Sequence, residues 1–482
     1  MKNQSHLSTH LIWFRQDLRI DDHAALWHAT QAGACMGLVI LSPEQWEKHY
    51  EAAVKIDLYL RQLKTLKLQL EQLNIPLVVL TVPLWKDISS EILKLTHQHH
   101  IQKIYANIEC GTNEIKRDHA VQVIIEQSSK EFLLFNDRTL FPLGSIRNKS
   151  GHPYQVFSAF KKVCYERLSI SLPQSFSTPT AQDSSFDIAN QSTQIPSLED
   201  LGFPSIDPKI PKIWRDGTNI AKNHLYQFID QNLTTYHTTR DIPALVGTSR
   251  LSPYLNMGTI SIRQCLNSIF SQQQRDFVIE NQGQHAWLDE LLWREFYQHL
   301  LFDYPKLSQH EPFKDKTKHI VWRNDEKDFK AWSIGQTGIP IVDAGMRELL
   351  ATGWMHNRVR MICAMFLNKN LLIDWRKGEQ WFMQHLIDGD LAANNGGWQW
   401  CASTGTDSVP YFRIFNPISQ SKKIDPKAEY LRKWLPELAH LDHKMIHEPY
   451  AQDVDLELNY PKPIVNLAES RARALRVFKI NS

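Results

Sequence analysis

The chain has 482 residues, 42% hydrophobic and 22% charged, with 54 basic against 52 acidic side chains and a net charge of +2. That balance excludes a globally basic surface, so any nucleic-acid contact has to come from a local patch. The proportions are those of a globular protein long enough for two or three domains, each with its own core.

Six scattered cysteines without a CxxC pair point to a reduced protein with no disulfide framework and no zinc site. The N-terminal MKNQSHLSTHLIWF lacks the apolar run of a leader, and no stretch is long enough to span a bilayer, so cytoplasm is the expected location.

From His10 to about Phe135, short apolar runs alternate with longer amphipathic ones. LIWF (11–14), MGLVIL (36–41), PLVVL (76–80), KIYA (103–106) and FLLF (132–135) are predicted strands, and leucines at 58, 60, 63, 66, 70 and 73 mark a helix over 53–73. This alternation predicts an α/β unit with a doubly wound parallel sheet over 1–140. No GxGxxG follows the first strand and no GxxxxGK[ST] occurs, which argues against nicotinamide and P-loop chemistry. HQHH at 97–100 reads as the solvated end of a polar helix, and no metal site is expected. The interval 141–213 is assigned as a connector whose 168–213 part, rich in Pro, Ser, Gln and Asp, runs over the surface. Residues 214–482 read as helical throughout.

The segment DGDLAANNGGWQWCASTGTD (388–407) is the richest in chemistry. It gathers Asp388, Asp390, Asn394, Asn395, Trp398 and Trp400, and eleven of the 15 tryptophans lie at or beyond Trp214. Convergent polar groups beside large aromatic surfaces suit a pocket for a flat, heteroatom-rich ring; a buried polar turn packed on aromatics is the alternative. In HAWLDELLWREFYQHL (285–300), helical spacing puts Trp287, Glu290, Trp293, Arg294 and Tyr297 within about 120° of one another, opposite Leu288, Leu291, Leu292 and Phe296. Indoles offer stacking surfaces for bases, and a carboxylate accepts from base N–H groups; packing on another helix is the alternative.

TGWMHNRVRMICAMFLNKNLL (352–372) is predicted as one helix, with Asn357, Arg360 and Met361 on one face and Arg358 pointing elsewhere, towards a phosphate. A buried arginine here needs an acid, and Asp388 is the candidate. Arg347, Lys369, Arg376, Lys377, Arg413, Lys422 and Lys423 offer charge for a phosphate-tracking rim. In GTSRLSPYLNMGTIS (247–261), hydroxyls, an arginine and a helix start converge as a diphosphate cradle.

WFRQDLR (13–19), GTSRLS (247–252), ELLWREFY (290–297), GWMHNRVRM (353–361) and the 388–407 segment together resemble the photolyase/cryptochrome flavoproteins, most of all bacterial class I cyclobutane pyrimidine dimer photolyases. The resemblance covers almost the whole chain. It implies FAD folded into a U within the helical half, Tyr236 and Thr248, Ser249, Arg250, Leu251 and Ser252 at the diphosphate, and Trp287, Asn357 and Gly389 in the same site. It also implies Asp390 on the polar edge of the flavin ring, Asp388 paired with Arg360, and Asn394 facing N5 to stabilise the reduced flavin.

Trp293 and Trp400 would hold an extruded pyrimidine dimer beside Glu290, Asn357 and Met361, with Arg294 and Arg358 at the DNA. Trp398, Trp375 and Trp322 match the family's electron relay. The implied reaction is light-driven splitting of cyclobutane pyrimidine dimers in UV-damaged DNA by electron transfer from excited reduced FAD. The implied actor is a monomer needing neither membrane nor protein partner. The resemblance extends to an antenna, 5,10-methenyltetrahydrofolate, at Asn113 and Glu114. There the chain departs from the family, carrying Ser308 and Gln309 in place of a Cys–Lys pair.

Three alternatives fit less well. A (6-4) photolyase calls for histidines in the lesion pocket, where Asn357 and Met361 stand. A cryptochrome photoreceptor of plant type calls for an acid opposite N5 and a long C-terminal tail, whereas Asn394 stands there and the chain ends soon after LNYPKPIVNLAESRARALRVFKINS. A plain flavin oxidoreductase calls for a nicotinamide fingerprint.

Overall fold

The structure is a computed structural model that describes residues 9–183, 188, 191–273, 276–451 and 458–480. The first eight residues, the start of the segment read above as lacking a leader, and parts of the predicted connector and C-terminal region lie outside the described residues.

Five strands form one parallel sheet in the order β3-β2-β1-β4-β5: β1 (Thr9–Phe14), β2 (Ala34–Leu41), β3 (Leu77–Thr81), β4 (Ile101–Asn107) and β5 (Glu131–Phe135). Side chains alternate across each strand, as the pleat requires. Ile12, Phe14, Val39 and Val79 face the core under the helices Ala24–Ala32 and Ala53–Gln72. Leu11, Trp13, Leu38 and Val78 face the core under Ile88–Gln98 and Thr112–Gln127. With both faces covered, the strands need continuous apolar runs, and that is why they stand out in the sequence.

The strand order reverses between β1 and β4, and the loops beyond these carboxyl ends reach the helical half. There Gly258, in the left-handed region at φ 69°, lies so close to the Gln16–Asp17 backbone that a Cβ would come within 2.4 Å of it. Beside it, Asp137 accepts from Arg19 (2.7 Å) and Arg263 (2.6 Å), and Asp22 accepts from Arg263 (3.0 Å) and from Ser261. All four charged side chains are buried. This network rivets the sheet to the Ile262–Ile269 helix.

The helix Phe157–Ile170 packs through Phe157, Phe160 and Cys164 into the core of the helical half. The chain then returns as a strap across the sheet unit. The Gln182 amide accepts from Cys35 N–H (2.8 Å) and donates to Cys35 O (2.9 Å), and Leu198, Leu201, Ile210 and Trp214 are buried. What the composition presents as a polar surface run is tied down by these few apolar anchors.

The helical half differs from expectation over 352–372. One helix, Pro340–Thr352, ends at Gly353, whose φ of 70° is a left-handed cap, and a new one, Asn357–Met365, starts under His356. The His356 ring Nδ1 accepts the Arg358 N–H at 3.2 Å, and a π turn, Phe366–Asn370, follows. Among the described residues no helix is long and apolar enough to cross a membrane.

Candidate active site

Two antiparallel helices frame the site. The Gln298 amide of Gln282–Asp303 donates to Asp390 at the start of Leu391–Ala402, and Gly396, further along the same helix, lies flat against the Tyr297 ring. Continuing in opposite senses, the two helices carry Trp293 and Trp400 to the same end. Trp293 already has one face stacked on Phe157, with centroids 3.7 Å apart and an interplanar angle of 11°. Glu290, one turn below, is held by Arg240 at 2.7 Å, and burial raises its carboxyl pKa against the pull of that guanidinium. The next residue, Asp241, pairs with Arg358 at 2.7 Å.

A cavity opens beside these helices, lined by Asn357, Arg360, Met361, Asp388, Asn394 and Gly397 among others. Asn394 donates one amide N–H to the Glu379 carbonyl at 3.0 Å, and its oxygen, with no protein donor among the described residues, is an acceptor it can offer. A Cβ on Gly397 would meet nothing within 4 Å, because the cavity begins there. Trp398 Nε1 is buried without a protein acceptor. An unshared acceptor, an unmet donor and a glycine facing open space fit a flat ring with N–H and C=O edges.

The charged wall is ordered from several sides. Asp388 accepts from Arg360 at 2.9 Å and from Ser252 Oγ at 2.6 Å, so the cradle serine is joined directly to the acid. The Gly389 carbonyl accepts from Lys55 of the sheet unit and from Asn256, each at 2.7 Å. Arg250 stands in the left-handed region at φ 51°, its guanidinium 5.2 Å over Trp354, beside Thr248 and Ser249; Leu251 is buried. Tyr236 and Trp287 are buried around Phe228, with centroids 5.4 and 5.0 Å from it. Burial pushes the His356 ring down to about 4, which keeps it a neutral acceptor for its cap.

Asp390 has a second set of partners that the sequence does not announce. It lines the cavity, but its carboxylate is already committed to Arg138 (2.6 Å), Gln298 (3.1 Å) and the Ala393 N–H (2.9 Å). Burial raises its pKa, and the Arg138 and Arg294 guanidiniums reverse that and hold it at about 2. Three donors on about four acceptor sites leave one for a ring edge. The carboxylate also fixes the junction with Arg138, a residue that nothing in the local sequence flags.

Arg294 calls for a correction. It lies on the Gln298 side of its helix, away from Trp293, and donates to the Arg138 carbonyl at 2.7 Å. The helix buries Glu295, Gln298 and His299 as well as its leucines, so no single polar face exists to be read. Lys369 also leaves the expected rim: it is fully buried, donating to Ser403 Oγ at 2.8 Å and lying 3.4 Å over the Phe478 ring.

Trp398 and Trp375 share one buried core, and the half-buried Trp322 packs at its edge, 5.9 Å from Phe478. Trp398 presses on Gly378, in the first turn of the helix Trp375–His385. Trp332, which helical spacing does not single out, lies 6.0 Å from Trp398.

A second cavity, of about 350 Å³, lies between the sheet unit and the helices. Asn113, Glu114 and His49 line one side, and Ser308, Gln309 and His310 the other. Asn113 meets His49 at 3.0 Å, and His310 meets Glu379 at 2.9 Å. Burial and the neighbouring Glu109 raise Glu114 to about 7.

Residues 10–180 match the family model described as DNA photolyase, and residues 287–480 match the FAD binding domain of DNA photolyase. The chain is 39% identical to the deoxyribodipyrimidine photo-lyase of Vibrio cholerae, over 97% of this chain and 99% of that protein. It is likewise 39% identical to that of Escherichia coli, over 98% and 99%. Among solved structures, the class III photolyase of Agrobacterium tumefaciens superposes with a TM-score of 0.85 at 33% identity, covering 100% of this chain and 99% of that one. A Sulfolobus tokodaii photolyase solved with two FAD molecules gives 0.80 at 31%, covering 98% and 100%. With both halves matched in order and full-length relatives at this identity, the chain belongs to the DNA photolyase family.

Proposed function

We propose that this chain is a light-driven lyase that repairs cyclobutane pyrimidine dimers in DNA, acting as a monomer with FAD in the helical cavity. When bound, reduced FAD supplies on excitation the electron that splits the dimer, and takes it back afterwards. The observation that carries the reading is Asn394: one amide N–H is committed to Glu379, and its oxygen, which meets no protein donor among the described residues, is left to serve the cavity. That edge accepts from a ring N–H and repels a ring nitrogen lone pair, so it favours the flavin carrying a proton at N5.

Thr248 to Ser252 and Tyr236 would hold the diphosphate, with Trp287, Asn357 and Gly389 completing the site, and the Ser252–Asp388–Arg360 chain links that cradle to the ring. Trp293 and Trp400 would stack on an extruded dimer, with Met361 at its side and Glu290 accepting its N–H groups. Arg358 and nearby basic side chains would meet the backbone. A dimer stacks and pairs poorly, so extruding it costs less than extruding intact bases. Trp398, Trp375 and Trp322 would pass an electron inward to bring oxidised flavin back to its reduced form, apart from the repair step.

In this reading residues 1–140 form an antenna unit, 141–213 a connector and 214–482 the catalytic unit, in the bacterial cytoplasm. The interdomain cavity would take 5,10-methenyltetrahydrofolate, with Asn113 and Glu114 bonding the pterin, and would release it readily because Ser308 and Gln309 offer no cation to its carboxylates. The deciding experiment irradiates UV-damaged DNA with the purified flavin-loaded protein beside a dark control. Dimers should disappear only in the light. Bound flavin with no dimer loss in either arm would point instead to a photoreceptor.

A further inference from the structure

We propose that Asp241 is a positioning residue that competes with the DNA backbone for Arg358 and so sets how firmly the chain holds DNA of any sequence. The inference rests on the reading of Arg358 as a phosphate contact. Arg358 Nε and Nη2 both donate to one Asp241 oxygen, at 3.0 and 2.7 Å. The two side chains are 23% and 47% exposed, so the pair sits at a rim that a phosphate can reach. Beyond that pair the guanidinium is only loosely engaged, with Nη1 3.9 Å from Met361 Sδ. Arg240, the residue before Asp241, holds Glu290 at 2.7 Å. Two consecutive residues of one loop therefore occupy both the acid of the lesion end and the cation of the rim.

Moving Arg358 to a phosphate means giving up a half-exposed ion pair, a small but definite loss. It also leaves the Asp241 carboxylate to recruit a cation from solution. The cation released from DNA is offset by the one taken up, so Arg358 contributes little to the salt dependence of binding while Asp241 is present. Because the competition concerns a phosphate and not a base, it weakens damaged and undamaged duplexes alike. A search enzyme gains from this by leaving undamaged DNA sooner.

The test measures dark binding of the flavin-loaded protein to matched duplexes with and without one cyclobutane dimer, across a salt series. Four proteins are compared: the parent chain, Asp241→Asn, Arg358→Gln and the double variant. Asp241→Asn should tighten both duplexes about two- to fivefold. It should also steepen the slope of log K against log salt by about one and keep the ratio between the duplexes. In the Arg358→Gln background the same substitution should change nothing, and Asp241→Glu should behave as the parent does. The flavin spectrum reports an intact fold, and Asp241→Ser replaces the asparagine variant if that spectrum is lost.

A gain that survives in the Arg358→Gln background would mean that Asp241 merely repels phosphates, and no gain at all would mean that it is idle; either overturns the proposal. If the parent chain repairs dimers and the cycle fails, only this inference falls. If the parent neither prefers nor repairs dimers, the functional reading falls and takes the inference with it.

Discussion

Two places where the sheet unit meets the helices treat buried charge in opposite ways. At the rivet, burial alone would raise the Asp137 carboxyl, but Arg19 and Arg263 both donate to it and hold its pKa well below the usual range. At the interdomain cavity, burial and Glu109 together raise Glu114 to about 7, and Arg117 only partly opposes them. The cavity proposed for flavin resembles the second place, with Asn394 and Trp398 offering unmatched polar edges. Closed networks hold the two halves together, and open ones are left for ligands. Changes at the rivet should therefore move stability, while changes at the cavities should move binding.

The largest effect is expected at the rivet. Asp137→Ala leaves the buried Arg19 without an acid and Arg263 with Asp22 alone, and should lower the unfolding free energy by about 3–5 kcal/mol, read by chemical denaturation. The sign with pH follows from the depressed pKa: the contribution is complete above the ordinary carboxylate value of about 4 and is lost as pH falls through the lower folded value. An unchanged denaturation midpoint would erase the contrast between the two places.

Next comes Gly397→Leu, which pushes a side chain into open space where the flavin ring would lie. It should yield colourless protein, with flavin affinity reduced by about 1–3 kcal/mol or more. The melting temperature of the flavin-free form should not fall, because leucine favours a helix more than glycine does. A yellow variant would place the ring elsewhere.

Trp293→Ala should weaken binding to dimer-containing DNA by about 1–3 kcal/mol and binding to undamaged DNA by less, since a stacking partner is lost only where a base is extruded. An equal loss on both would reassign Trp293 to packing on Phe157.

The smallest effect concerns Glu114. Its ionised form accepts from a pterin N–H more strongly than its protonated form, so folate affinity should drop as pH falls through about 7. Titrating folate into flavin-loaded protein and following energy transfer to the flavin would read this, and Glu114→Gln should remove the pH dependence. A pH-independent affinity in the parent would show that the open carboxylate is not used.

The sequence is legible where structure is periodic and local. The five strands stand out because both sheet faces are covered, which demands continuous apolar runs such as MGLVIL. The Arg360–Asp388 pair follows from need, since a buried cation in a helix must find an acid. Legibility fails where polarity is satisfied from a distance. Arg138 reaches Asp390 across 252 positions of chain, and no spacing rule announces that. Helical angle sets Arg294 on the face of Glu290, but its helix is buried nearly all round and its guanidinium turns to the Arg138 carbonyl. The break at Gly353 is small in sequence, a glycine followed three residues later by a capping histidine, inside a run whose apolar periodicity continues through it.

The most direct test of the central claim is a single-flash experiment on the reduced, flavin-loaded protein bound to an oligonucleotide carrying one thymine dimer. The account predicts that each productive flash restores two intact pyrimidines, seen by the return of their ultraviolet absorbance, and leaves the flavin as reduced as before with no added reductant consumed. Flavin that ends the flash oxidised, or dimers that persist while the flavin is excited, would contradict it.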